Sequence, residues 1–150
     1  QNLMQYTENV NTESTEDIPL EGLHALIAED NELNLEIAKL MLEEKGICVE
    51  CAADGKEAVA KFEESEPGYY DVIFMDIMPY MNGWDATRKI RTLQRPDADK
   101  IPIIAMSANA FAEDIINSHI SGMNWHLTKP IDADKLMTAL KECIRKNNIR

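Results

Sequence analysis

Nothing in this sequence approaches the roughly 20 consecutive apolar residues that a membrane-spanning helix needs, and no apolar core of a signal peptide can be picked out. Contact with a membrane by this stretch of chain is not expected. Positive charge is scarce: 15 Lys and Arg stand against 27 Asp and Glu, for a net charge of −12. A basic face for nucleic acid is a poor expectation on that balance. Cysteine is scarce as well. Cys48, Cys51 and Cys143 are odd in number and do not make a disulfide framework. Cys48 and Cys51 have the C-x-x-C spacing, but in a strand-like run, without the strand-to-helix context of a redox motif. No second pair or nearby His completes a zinc site. The expectation is buried or half-buried free thiols in a reducing cytoplasm. Internal repeats and low-complexity tracts are also missing.

What is present is a rhythm. A chain of 150 residues at 45% hydrophobic composition is enough for one compact domain. Residues 1–21 are rich in Asn, Thr, Glu and Ser, contain Pro19 and follow neither the helical nor the strand period, so they read as a flexible acidic linker. Gln1 at the start is the mark of a processed chain or, in preference, of a piece of a longer polypeptide. From residue 22 to residue 148 strand and helix signals alternate. His24–Ala28 is a strand; Leu33, Ile37, Leu40 and Met41 recur at helical spacing, and Gly46 stops that helix. Ile47–Ala52 is a second strand. Asp54 and Glu57 have the spacing of a capping box for a helix that turns Ala58, Val59 and Phe62 inward. Val72–Met75 runs into Asp76 as a third strand, and Asn82 caps a helix through Leu93. Pro102–Met106 is a fourth strand, followed by a helix bearing Ile115, Ile116 and Ile120 that Gly122 ends. Trp125–Leu127 is a short fifth strand, and Asp132 caps a final helix with Leu136, Met137, Leu140 and Ile144 on its buried face. This alternation predicts an α/β fold, a doubly wound parallel sheet with helices on both sides.

The third strand is the most informative. Four apolar residues, Val72 to Met75, read as a strand buried on both faces, and they end in a carboxylate, Asp76. The first strand ends likewise in Glu29 and Asp30. In the flavodoxin-like order 2-1-3-4-5 these two strands are neighbours, and ligands bind at the carboxyl ends of strands beside that switch point. Like charges about 4 Å apart repel by roughly 1 kcal/mol in water and several-fold more near a protein surface. With no counter-charge built into those segments, the cluster calls for a hard divalent cation, and oxygen-only ligands at an exposed rim favour Mg2+. Ser107 ends the fourth strand with a hydroxyl able to hydrogen-bond a phosphoryl oxygen. Lys129, after the fifth, adds an ammonium for an anion. Together these are the parts needed to accept a phosphoryl group on a carboxylate. Each alone has a blander reading: Asp76 as a cap, Lys129 as a surface charge, Glu29 and Asp30 as the acidic start of a helix. In combination they favour chemistry.

Glu29-Asp30, Met75-Asp76-Ile77-Met78-Pro79, Asn82-Gly83, Ser107-Ala108-Asn109-Ala110 and Leu127-Thr128-Lys129-Pro130 resemble the receiver domain of two-component response regulators, over about residues 23–146. The resemblance implies that Asp76 is the phospho-acceptor, attacking a phosphohistidine on a histidine kinase or histidine phosphotransfer domain. It implies Mg2+ bound by Asp30 directly, by Glu29 through water, by Asp76 and by the Met78 backbone carbonyl. Ser107 would move to meet the phosphoryl group and Lys129 would pair with it. The Lys129–Pro130 peptide would be cis, and Met78 and Asn109 would tune hydrolysis of the phospho-aspartate.

One position departs from the pattern. Many receivers carry a Tyr or Phe that turns inward on activation, where this chain has His126. An imidazole packs differently there, so the switch of Ser107 and His126 is expected to rely less on aromatic packing, or to respond to pH. No helix-turn-helix or basic recognition helix accompanies the domain. The polar head and the Ala105–Phe111 wording resemble the receivers of hybrid sensor histidine kinases, with a stand-alone response regulator, or a receiver-fold binding module that is never phosphorylated, as the alternatives. A weak homodimer stays open. A flavodoxin would want a Ser/Thr/Gly-rich phosphate loop where Glu29-Asp30-Asn31-Glu32 stands, and a haloacid-dehalogenase phosphatase would want an Asp at Met78.

Overall fold

The computed structural model describes residues 18–77, 83–108 and 111–149. Ten elements alternate: β1 (His24–Ala28), α1 (Glu32–Glu43), β2 (Cys48–Ala52), α2 (Gly55–Glu64), β3 (Val72–Asp76), α3 (Gly83–Arg91), β4 (Ile103–Ser107), α4 (Ala112–Ser121), β5 (Trp125–Thr128) and α5 (Ala133–Ile149). The strands form one parallel sheet in the order β2-β1-β3-β4-β5, the predicted flavodoxin-like order. Its register pairs Ala28 with Met75, Asp76 with Met106 and Ser107 with Thr128. The carboxyl ends of the four strands from β1 to β5 that carry the predicted site residues therefore lie on one rim.

Every residue of β3 and β4 is buried, which is why those strands read as unbroken apolar runs. Their side chains alternate between two cores. Ile27, Phe74, Ile104 and Leu127 pack with Ala38 and Leu42 of α1 and with Leu136, Ala139 and Leu140 of α5. Leu26, Ile73, Met75 and Ile103 pack on the other face with Ala58, Val59 and Phe62 of α2 and with Ala86 and Ile90 of α3. Leu20 also reaches the first core.

The local signals act as their chemistry requires. Asp54 accepts from the Glu57 N–H at 2.8 Å, satisfying one of the orphan amides at the start of α2, while the Glu57 carboxylate reaches back to accept from the Ala53 N–H just before the cap. Asp132 accepts from the Asp134 N–H at 2.7 Å at the start of α5. Gly122 ends α4 at φ 110°, a left-handed conformation that a side chain disfavours.

Two expectations need correction. Leu33, Ile37 and Leu40 of α1, at 69%, 39% and 58% exposure, do not face the core; Ala38 and Leu42 do. In α4, Ile115, Ile116 and Ile120 are all exposed while the small side chains Ser118 and Ser121 are buried. Serine lets α4 sit close to its neighbours, and the Ser118 hydroxyl accepts from the Trp84 indole N–H at 2.9 Å, joining α4 to α3. Cys143 is buried and Cys51 half-buried, as expected, but Cys48 is exposed on the edge strand; none is in a disulfide. The predicted Asn82 cap and most of the linker, residues 1–17, lie outside the described residues.

Candidate functional site

The rim is built by extending the sheet's own ladder past the strand ends. The Glu29 N–H donates to Ala52 O at 3.1 Å, the Ile77 N–H to Met106 O at 2.9 Å and the Lys129 N–H to Ser107 O at 2.7 Å. Glu29, Asp76 and Lys129 are thus held by backbone geometry. Gly83 sets the start of α3 against the same rim: a Cβ there would lie 2.6 Å from Asp76 O and 2.9 Å from Met75 Cγ, so only glycine permits this approach. The Lys129–Pro130 peptide is cis.

Glu29, Asp30 and Asp76 each present a carboxylate oxygen within 4.8 Å of the others. Glu29 and Asp76 are buried, at 3% and 6% exposure, and Asp30 is exposed. The expectation of a cluster without a counter-charge is corrected by Lys129. Its Nζ lies 2.9 Å from Glu29 Oε1 and 3.2 Å from Asp76 Oδ1. The second oxygen of Glu29 accepts from the Asn31 N–H at 3.1 Å, just where Asn31 caps α1.

These charges set each other's protonation. Burial, reinforced by the Glu29 carboxylate, pushes Asp76 up to about 6, with Lys129 pulling the other way. For Lys129, burial acts to lower the value, but its contacts with Glu29 and Asp76 prevail and hold the ammonium above its ordinary range. One ammonium does not satisfy the cluster. Asp76 Oδ2 is buried and has no hydrogen-bond partner among the described residues. An orphaned buried carboxylate oxygen beside two further carboxylates is a donor set that could hold a hard divalent cation.

Of the residues singled out from sequence, the structure brings together Glu29, Asp30, Asp76 and Lys129. Met78, Pro79 and Asn109 lie outside the described residues. Ser107 stands at the end of β4, 5% exposed, and its Oγ lies 2.7 Å from Nε2 of His126 on β5. That hydrogen bond was not foreseen. The register explains it: His126 pairs with Ala105, two residues before Ser107, so the two side chains are diagonal neighbours on one face, a relation invisible without the β4–β5 pairing. No helix among the described residues is long and apolar enough to cross a membrane.

A doubly wound sheet with an acidic rim and a lysine at its carboxyl edge places the chain among flavodoxin-like α/β domains with a charged site at the switch point. The model of the response regulator receiver domain matches residues 25–141, and the chain belongs to that family of two-component signalling domains. It is 39% identical over 137 residues to a probable histidine kinase 2 of Oryza sativa, covering 83% of this chain and 13% of the relative. It is 35% identical over 130 residues to the aerobic respiration control sensor protein ArcB of Escherichia coli, covering 85% and 16%. These relatives, like the hybrid signal transduction histidine kinases of Dictyostelium discoideum, are far longer; the chain spans between 7% and 16% of the length of such relatives. Among solved structures, the receiver domain of the sensor histidine kinase PA1611 of Pseudomonas aeruginosa superposes with a TM-score of 0.72 at 37% identity, covering 82% of this chain and 98% of that one. That structure has a magnesium ion coordinated in its active site cleft. A CheY-like receiver from Methanospirillum hungatei matches with a TM-score of 0.74 at 26% identity, over 85% and 97%.

Proposed function

We propose that this receiver domain is a working phosphoryl acceptor in a phosphorelay. Asp76 takes a phosphoryl group from the phosphohistidine of a histidine kinase or histidine phosphotransfer domain. The observation that carries this reading is Asp76 Oδ2, a buried carboxylate oxygen without a partner, beside the Glu29 and Asp30 carboxylates. In the transfer the P–N bond to imidazole breaks, the electron pair stays on the ring nitrogen, and a P–O bond forms to the Asp76 carboxylate. Glu29, Asp30, Asp76 and, by family resemblance, the Met78 carbonyl would hold Mg2+. Such an ion supplies neutralisation of the three phosphoryl oxygens and of the carboxylates around them. Lys129 orients Asp76 through Oδ1 and offers its ammonium to the incoming phosphoryl group. The Ser107 hydroxyl donates to a phosphoryl oxygen from the β4 end.

The parent of the domain, on this reading, is a hybrid sensor histidine kinase, supported by relatives in which a receiver accounts for a small share of a long chain. The receiver spans residues 22–148 behind an acidic linker of residues 1–21, in the reducing cytoplasm that free thiols favour. The test is intact-mass measurement after incubation with acetyl phosphate, with and without Mg2+, on the wild-type chain and Asp76→Asn. A Mg2+-dependent gain of one phosphoryl group, absent from the variant, is expected. An equal gain in the variant moves the acceptor elsewhere. No gain, joined with no Mg2+-dependent binding of beryllofluoride, leaves a binding module of receiver fold.

A further inference from the structure

The Ser107–His126 pair carries more than contact. His126 Nε2 is 2.7 Å from Ser107 Oγ, while His126 Nδ1 is buried and has no hydrogen-bond partner among the described residues. A neutral imidazole has one N–H to place. If Nδ1 carried it, a buried donor would be left without an acceptor, the rarer and costlier condition, and the Ser107 proton would be spent on the Nε2 lone pair. If Nε2 carries it, the imidazole donates to Ser107 Oγ, Nδ1 keeps only an unshared lone pair, and the serine proton is not committed to the ring.

We propose that His126 is a positioning residue for phosphoryl transfer: its Nε2–H donates to Ser107 Oγ, so the ring does not compete with a phosphoryl oxygen on Asp76 for the serine proton. A Tyr or Phe at this place cannot do the same work. A benzyl ring has no donor, and a phenol carries its hydroxyl beyond the ring edge. The histidine therefore replaces aromatic packing with a directed hydrogen bond, fixing the hydroxyl through a strand neighbour. The proposal rests on the phosphoryl-acceptor reading above, since the hydroxyl is held for that group.

The test uses the whole chain with His126→Phe, which keeps a flat ring without a donor, and His126→Gln, whose amide nitrogen reproduces the reach of Nε2. Initial rates of Asp76 phosphorylation by phosphoramidate are compared with Mg2+ affinity, and 15N NMR of the imidazole reads the tautomer directly. Expected are an Nε2–H tautomer, a roughly five-fold slower rate in His126→Phe, recovery to within about two-fold in His126→Gln, and unchanged Mg2+ affinity in both. In a Ser107→Ala background, His126→Phe should have no further effect. An Nδ1–H tautomer overturns the proposal, as does a His126→Phe rate equal to wild type or an equal loss in the Ser107→Ala background. Failure of the acceptor reading shows separately, as a wild-type chain that takes no phosphoryl group while the tautomer is still measurable.

Discussion

The Lys129 ammonium stands 3.2 Å from Asp76 Oδ1, yet Asp76 is still pushed up to about 6. Burial and the adjacent Glu29 outweigh one cation that Glu29 also shares. The carboxylate proposed to take the phosphoryl group is therefore one that the fold tolerates poorly when ionised, a cost typical of functional groups rather than of groups that stabilise a fold.

A pH dependence follows from that cost. Between the ordinary Asp value of 3.8 and about 6, the folded chain binds the Asp76 proton more tightly than the unfolded chain does. Stability contributed by this group is present at low pH and is lost as pH rises through about 6. Asp76→Asn removes the loss. Urea unfolding without divalent cation should show the variant about 2–3 kcal/mol more stable than wild type at pH 7.5, with the difference closing near pH 4. A variant less stable than wild type at pH 7.5 contradicts the account.

Asp30 and Glu29 share the rim but not the burial. Asp30 is exposed, so Asp30→Asn should alter stability by no more than about 0.5 kcal/mol. On the proposal that Asp30 helps to hold Mg2+, its loss should still weaken Mg2+ binding by at least about ten-fold, since a full negative charge leaves the donor set. Glu29→Gln, by contrast, removes a buried partner of Lys129 and should change both stability and affinity. Calorimetric titration with Mg2+ beside urea unfolding separates the two; equal affinity in Asp30→Asn would remove Asp30 from the metal site.

Helix faces mark how far the sequence could be read. The order of the elements, the strand ends carrying Glu29, Asp76, Ser107 and Lys129, and the caps at Asp54 and Asp132 were legible, because each is written in neighbouring residues. The inward face of α1 was not. Leu33, Ile37 and Leu40 repeat at the period of a core stripe, and spacing alone does not say which of two apolar stripes meets the sheet. The Lys129 counter-ion and the His126 hydrogen bond were hidden for a related reason, since both depend on pairings between distant strands. Leu42→Ala, which empties a fully buried site, should cost about 2–4 kcal/mol, whereas Leu33→Ser should stay within about 0.5 kcal/mol. Urea midpoints decide it, and equal losses would return Leu33 to the core.

Arg91 is a half-buried cation that the sequence did not announce. Its guanidinium donates to Ala98 O at 3.0 Å, Ile101 O at 2.8 Å, Gly122 O at 2.7 Å and Asn124 Oδ1 at 2.9 Å. Asn124 Oδ1 in turn accepts from the Ile103 N–H at 2.8 Å, so one side chain ties the end of α3 to the entries of β4 and β5. Burial lowers Arg91 to about 10, still well above neutral pH, so the group remains charged while it bonds. Arg91→Met fills the space but leaves three half-buried carbonyls without this donor, each costing on the order of 1 kcal/mol. A loss of about 3 kcal/mol is expected, with Arg91→Lys recovering less than half, because a point ammonium cannot span a planar fan of acceptors. The rim lies at the far ends of β4 and β5 from this contact. Mg2+ affinity of the folded Arg91→Met chain should therefore match wild type, and a matched drop in affinity and stability would show that Arg91 reaches the rim.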